Sequence, residues 1–154
     1  YNDSESNILS VANNQRILHD FVFGADLEFE NLDISKRPKT YFPHRTKSTL
    51  QYTFENETIL AQNQQIEIDL TLEFSGIIGV FEAKNGEPKD FNIYQIYHPF
   101  LYYHNSNLPI KNIICCYLVR NEHSLKLWAY TFKNPLQLDS IKFLKSKEYI
   151  LTRG

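Results

Sequence analysis

The chain has 154 residues, 42% hydrophobic and 22% charged, which sets aside disordered, collagenous and coiled-coil classes and fits one domain with room for a core. A net charge of −2 excludes a binder that relies on a global basic field and leaves nucleic-acid contact to local patches. Apolar runs stay short of the roughly 18 residues of a membrane helix, and no signal peptide is visible. Cys115 and Cys116 are adjacent in an apolar run. Strand neighbours point to opposite faces, so no disulfide joins them, and buried free thiols suit a reducing cytoplasm. The expectation is a cytoplasmic protein without membrane contact. Methionine is absent, position 1 included. We therefore expect a single domain over 1–154, excised from a longer chain.

Ile8, Val11, Ala12, Ile17, Leu18 and Phe21 recur at helical spacing, which predicts a helix over about residues 5–20, ending before Gly24. Glu5 complements its dipole. Residues 25–35 are acidic. Lys36 to Lys47 then reverses sign with Lys36, Arg37, Lys39, Arg45 and Lys47 and no acid, while Tyr41, Phe42 and His44 interleave. Two prolines exclude a regular helix, so a basic loop is expected. Such a loop suits contact with a phosphate backbone, or it neutralises the acidic segment before it. Ser48 to Phe54 alternates and predicts a strand, the first of a sheet, and Ile59-Leu60-Ala61 is a short apolar patch.

Gln65 to Gly86 carries the chemistry. Two apolar-rich runs flank Ser75-Gly76 and predict a β-hairpin. A loop centred there sets Asp69 opposite Glu82 and Glu67 opposite Lys84, all on one face. Ile66, Ile68, Leu70, Leu72 and Phe74, with Ile77, Gly79, Phe81 and Ala83, form the other, core-facing side. Directly opposed acids repel, and a hard divalent cation turns that repulsion into ligation, since Mg²⁺ takes one or two carboxylates plus water. Lys84 beside them could hold a phosphate or orient a water, which is the equipment of metal-assisted phosphodiester hydrolysis. The bland alternative is a solvent-facing hairpin with a Glu67–Lys84 ion pair.

Glu87-Pro88 resembles a helix start. The aromatic segment after it predicts a largely buried helix that Pro99 kinks or splits, with Gln95, His98 and Tyr102 on one face. A lone His among aromatics reads first as a packed, hydrogen-bonded side chain. Asn112 to Val119 predicts a central strand buried on both faces. Leu125 to Lys133 continues as a strand with Trp128 in the core. Leu136, Leu138, Ile141 and Leu144 predict a short closing helix. No nucleophile elbow, Walker loop, dinucleotide glycine pattern or C-x-x-C occurs, and the five histidines lack zinc-site spacing.

Asp69 followed by Glu82-Ala83-Lys84, each at the end of an apolar strand, resembles the PD-(D/E)XK nuclease superfamily, whose best-known members are type II restriction endonucleases. Ile68 stands where that family often has proline. The resemblance implies an α/β fold with a restriction-endonuclease-like core, a mixed sheet flanked by helices in αβββαβ order. It implies Mg²⁺, with Mn²⁺ as substitute, held by Asp69, Glu82 and the Ala83 carbonyl. Lys84 acts with the attacking water, Gln95 matches a glutamine that some branches place on the following helix, and Glu67 supports. Double-stranded DNA is the implied partner, with a homodimer or an additional specificity domain. A structure-specific repair or recombination nuclease, or a non-catalytic DNA- or protein-binding module, are the alternatives.

Overall fold

The computed structural model describes residues 8, 9, 12, 16–24, 31–41, 44–86 and 92–151. Ile8, Leu9 and Ala12 are helical and buried. Helix α1 (Ile17–Phe23) follows Arg16, whose φ of 61° is left-handed. The one helix expected over residues 5–20 is thus interrupted at Arg16, and it runs on to Phe23. Gly24 closes it at φ 97°, its N–H bonded to the Asp20 carbonyl at 2.9 Å. Glu5 lies outside the described residues.

Strands β1 (Lys39–Tyr41), β2 (His44–Phe54), β3 (Glu57–Ile68), β4 (Leu70–Phe74) and β5 (Ile77–Asn85) precede helix α2 (Tyr94–His104), and β6 (Asn112–Arg120), β7 (Ser124–Phe132) and β8 (Ile141–Ile150) follow it. The described residues are mixed α/β and mostly sheet. One sheet has six strands in the order β1-β4-β5-β6-β7-β8, and β2 with β3 makes a separate two-stranded ribbon. Among the described strands every ladder is antiparallel except β5 with β6, the two strands that α2 connects, and an isolated parallel bridge joins Thr53 to Gln137.

The hairpin register is the expected one. Leu70 pairs with Phe81 and Phe74 with Ile77. Ser75 and Gly76 have φ of 52° and 85°, both left-handed, as a two-residue type I′ turn requires. What differs is the length of the first strand. It breaks at Asp69, and everything upstream pairs with β2 instead. The break also switches faces. Leu70 and Leu72 join a cluster with α1, Phe81, Leu118 and Leu127. Ile66 and Ile68, of the same parity, join the opposite cluster with Val80, Cys115 and the α2 residues Ile96, Tyr97 and Leu101. The single core face expected for Ile66 to Phe74 is therefore two faces. A bend at Asp69 turns the side chains over, which a continuous strand cannot do.

The ribbon was not foreseen as a unit. Ser48 to Phe54 is a strand, but of the two-stranded sheet and not of the main one: it belongs to β2, and Ile59-Leu60-Ala61 lies within β3. Glu55 and Asn56 make the turn, at φ 49° and 68°. The basic stretch expected as a loop is instead a short 3₁₀ turn (Ile34–Lys36), β1 and the start of β2. The strands alternate its cations Lys39, Arg45 and Lys47 with half-buried residues.

Helix α2 runs unbroken through Pro99, so the proline does not split it. Asn92 is outside the helix and bonds the Tyr94 N–H at 3.0 Å. The helix therefore does not extend back to Pro88, a position that is not among the described residues. β6 is the expected central strand, with Cys115 and Cys116 fully buried on opposite faces. Trp128 is only half-buried, with Lys126 Nζ 5.2 Å from its ring centroid, and is not a core residue. The closing helix is absent: Leu138–Ser140 is one 3₁₀ turn, and β8 extends the sheet along β7. The free edge of β7 outweighs a helical spacing of leucines, since its unpaired N–H and C=O groups need partners.

Helix α1 seats directly on β5. A Cβ added at Gly79 would lie 3.3 Å from Val22 Cγ2. Gly79→Val should therefore destabilise by about 1–3 kcal/mol through overpacking, seen as a lower urea midpoint with an unchanged slope. An unaltered midpoint would show that this contact does not hold α1.

Candidate active site

The break at Asp69 leaves β5 without a backbone partner on its β4 side beyond Phe81. The Ala83 N–H, which would otherwise be stranded there, donates to Asp69 Oδ2 at 3.1 Å. The N–H and C=O of one strand residue project to the same edge, so the Ala83 carbonyl faces the gap that Asp69 occupies. Glu82, one residue earlier, projects to the α2 face with Val80. Asp69 and Glu82 are 6% and 9% exposed and share a side-chain hydrogen bond. Lys84 Nζ is 3.3 Å from Glu82 Oε1, with its side chain half-buried. Asp69, Glu82, Ala83 and Lys84 thus come together, as the hairpin register requires.

Burial raises the Glu82 carboxyl to about 8, the neighbouring Asp69 charge adds to this, and Lys84 opposes it. Asp69 is raised as well, mainly by burial, and its bond from Ala83 works against the rise. Near neutral pH the pair therefore shares a proton, with Glu82 donating to Asp69.

Glu67 does not face Lys84. It sits on β3 opposite Arg45 and makes an ion pair with Arg45 Nε at 3.3 Å, both side chains being exposed. Its cross-strand partner changed when β3 left the main sheet. Glu67 lines a cleft of about 540 Å³ together with Glu82, Gln95, His98, Tyr52 and Tyr94, a wall that includes Glu82 but neither Asp69 nor Lys84. Gln95 and His98 share that wall as expected. Tyr102 does not line it and lies against His44, ring centroids 6.4 Å apart. His98 Nε2 is 3.2 Å from the Tyr52 hydroxyl, and burial lowers the imidazole, so it is a neutral, packed side chain.

The five basic residues do not act as one patch. Lys39 pairs with Glu73 toward the far end of β4, and Arg37 Nε donates to the Leu32 carbonyl at 2.9 Å next to exposed Lys36. Arg45 and Lys47 are on the ribbon beside the cleft, opposite Glu67 and Gln65. Tyr52, Tyr94, Asn92 and Gln64 also line the cleft and had no sequence signal, because the fold of the ribbon onto α2 brings them there. Lys126 was missed too. It stands two strands from Lys84 through Val119, roughly 10 Å away on the same face.

Among the described residues no group of three His, Cys, Asp or Glu side chains could hold a metal ion, and no helix is long and apolar enough to cross a membrane. Two carboxylates and a carbonyl do fit Mg²⁺, which keeps most of its waters. Fold and site together define a mixed α/β domain with a buried acid pair and a lysine at one sheet end. The chain belongs to the family described as Domain of unknown function (DUF6997), whose model matches residues 1–150. Searches of curated proteins and of solved structures gave no match.

The raised Glu82 carboxyl makes a linkage prediction. A carboxyl that is harder to ionise when folded contributes stability below its unfolded value, and that stability is lost as pH rises through the folded one. Without divalent cations, stability should therefore fall between about pH 4.5 and 8. Glu82→Gln should flatten that slope and raise Tm at pH 8 by about 2–4 °C. A wild-type slope retained in Glu82→Gln would assign it to other groups.

Proposed function

We propose that the protein is a Mg²⁺-dependent DNA endonuclease domain with a restriction-endonuclease-like core, most simply the catalytic part of a restriction enzyme. The observation that carries this reading is the pair of buried, hydrogen-bonded carboxylates with Lys84 Nζ 3.3 Å from Glu82. A structural ion pair needs one acid, and ordinary stability does not favour burying a second beside it. Further support comes from the setting, a hairpin followed by a helix and a parallel strand, with the charged groups at one strand end.

In this reading Asp69, Glu82 and the Ala83 carbonyl hold Mg²⁺. When bound there, the cation would supply Lewis-acid polarisation of the phosphate and activation of the attacking water. Asp69 and Glu82 give up their shared proton when they take the cation, so binding is tighter at higher pH. Lys84 exchanges its contact with Glu82 for the attacking water or the scissile phosphate, where its charge meets the charge that develops in the transition state. Gln95 positions a water or phosphate oxygen from the opposite wall, and Glu67 with Arg45 supports the outer rim. Arg45 and Lys47 contact the phosphate backbone along the approach.

Lys84→Ala should lower plasmid cleavage by about 10²–10⁴-fold in Mg²⁺ while duplex binding survives, because a transition-state contact is removed. Asp69→Asn should behave alike and also weaken Mn²⁺ binding and its proton release in calorimetry. Equal cleavage by parent and Lys84→Ala would point to a contaminant and remove the nuclease reading. A panel of duplexes, branches and single strands, assayed in parallel, separates a restriction enzyme from a structure-specific nuclease.

A further inference from the structure

A second cavity lies at the other end of α2, between its last turn, the start of β6 and the end of β7. It holds about 320 Å³, at the small end of ligand-site sizes. Its floor is apolar, with Ile113 beside Phe100 and Phe132, whose ring centroids are 4.9 Å apart. Its rim carries donors. Lys111 has no acid partner among the described residues. The Lys111 stem is held against the Ser75-Gly76 turn, where a Cβ added at Gly76 would meet its Cγ at 3.1 Å. Asn112 Oδ1 accepts the Ile113 N–H at 2.9 Å, which leaves its amide N–H groups as donors. His104 adds a ring nitrogen. No Asp or Glu lines this cavity, whereas the cleft has Glu67 and Glu82 and no Lys or Arg. The carbonyl end of α2, which would repel an anion, is covered. Ser106 Oγ and N–H donate to the Tyr103 carbonyl at 2.6 and 3.1 Å, and the Asn105 N–H donates to that of Leu101 at 2.9 Å.

One helix serves both cavities. N-terminal to Pro99, the side chains of Tyr94, Gln95 and His98 wall the cleft. C-terminal to it, Phe100, Tyr103 and His104 wall the second cavity. Proline has no N–H, so the Gln95 carbonyl lacks its helical bond, and α2 bends most easily between the two halves. Fully buried Tyr97 bridges them. Its ring centroid is 4.6 Å from that of Phe132, and it stacks on Phe100 at 16°. It meets Tyr52 edge-on at 4.9 Å, and the Tyr52 hydroxyl is bonded to His98. We propose that this cavity is an effector site for a small anion with an apolar ring as its body, an aromatic carboxylate or phosphate monoester. The anionic group takes Lys111 and Asn112, and the ring covers Phe100 and Phe132. Filling the cavity moves the His98–Tyr52 wall of the cleft through Tyr97 and a bend at Pro99. The inference goes beyond the nuclease reading and holds whatever chemistry the cleft serves.

The test is titration of the full chain with benzoate, phenyl phosphate and benzylamine, followed by NMR at the Ile113 and Thr131 methyls and at the His98 ring. Benzoate or phenyl phosphate should shift the methyls and His98 together, and the better of the two tells which anionic group the site takes. Benzylamine should shift neither. Lys111→Ala should weaken anion binding about tenfold, as loss of a charge-assisted bond does, and Lys111→Arg should retain it. Pro99→Ala, which restores the helical bond, should keep binding and shrink the His98 response at equal occupancy. Equal melting temperatures establish that the variants are folded. The inference is overturned if neither anion binds, or if benzylamine binds as well as benzoate. Shifted methyls with an unmoved His98 also overturn it, since the cavity would then have no effect on the cleft.

Discussion

One hydrogen bond carries the arrangement: the Ala83 N–H to the carboxylate of Asp69. A strand that stops pairing inside a sheet leaves its neighbour with bare amides, and a buried bare amide costs about as much as a lost hydrogen bond. Asp69 fills that vacancy with its side chain. The chain is thereby free to turn over and leave the sheet, and a carboxylate is fixed beside Glu82. The bend that releases the ribbon and the acid pair that makes the site have a single cause.

The surrounding structure is built to hold that bend. β5 and β6 run parallel through the middle, buried on both faces, with α1 and the other helical residues on one side and α2 with the ribbon on the other. Fully buried aliphatic side chains contribute about 1.5–3 kcal/mol each, so a sheet covered twice can tolerate two costly acids at its end. On the far side, Asp20 accepts hydrogen bonds from the Tyr149 hydroxyl and Lys147, which hold Asp20 below the usual carboxylate range and tie α1 to β8. Its partners favour the ionised form, whereas burial and the Asp69 charge favour the protonated form of Glu82.

Much of this could be read from the residues. Ser75-Gly76 dictates a two-residue turn, and the turn dictates which side chains oppose, so the sequence alone brings Asp69, Glu82 and Lys84 together. The errors have physical reasons. Leu136, Leu138, Ile141 and Leu144 have a spacing that suits a helix, yet the unpaired edge of β7 outweighed local preference. Glu55-Asn56 lacks the glycine that marks a tight hairpin, so the ribbon stayed hidden and the basic segment read as a loop. Trp128 was placed in the core by size alone, and its position near the sheet's outer strand left it half-exposed.

Local chemistry settled which side chains meet at the sheet end: opposed acids, a lysine two residues on, and a turn with only one comfortable register. These depend on neighbours along the chain and on a period of two, and both are visible in one dimension. Where the strand would break, which face Ile66 would choose, and that Tyr52 and Gln95 would wall the same cleft depend on pairing between segments far apart in sequence. Such choices are made by competition for backbone partners and buried area, and no single segment contains the terms of that competition.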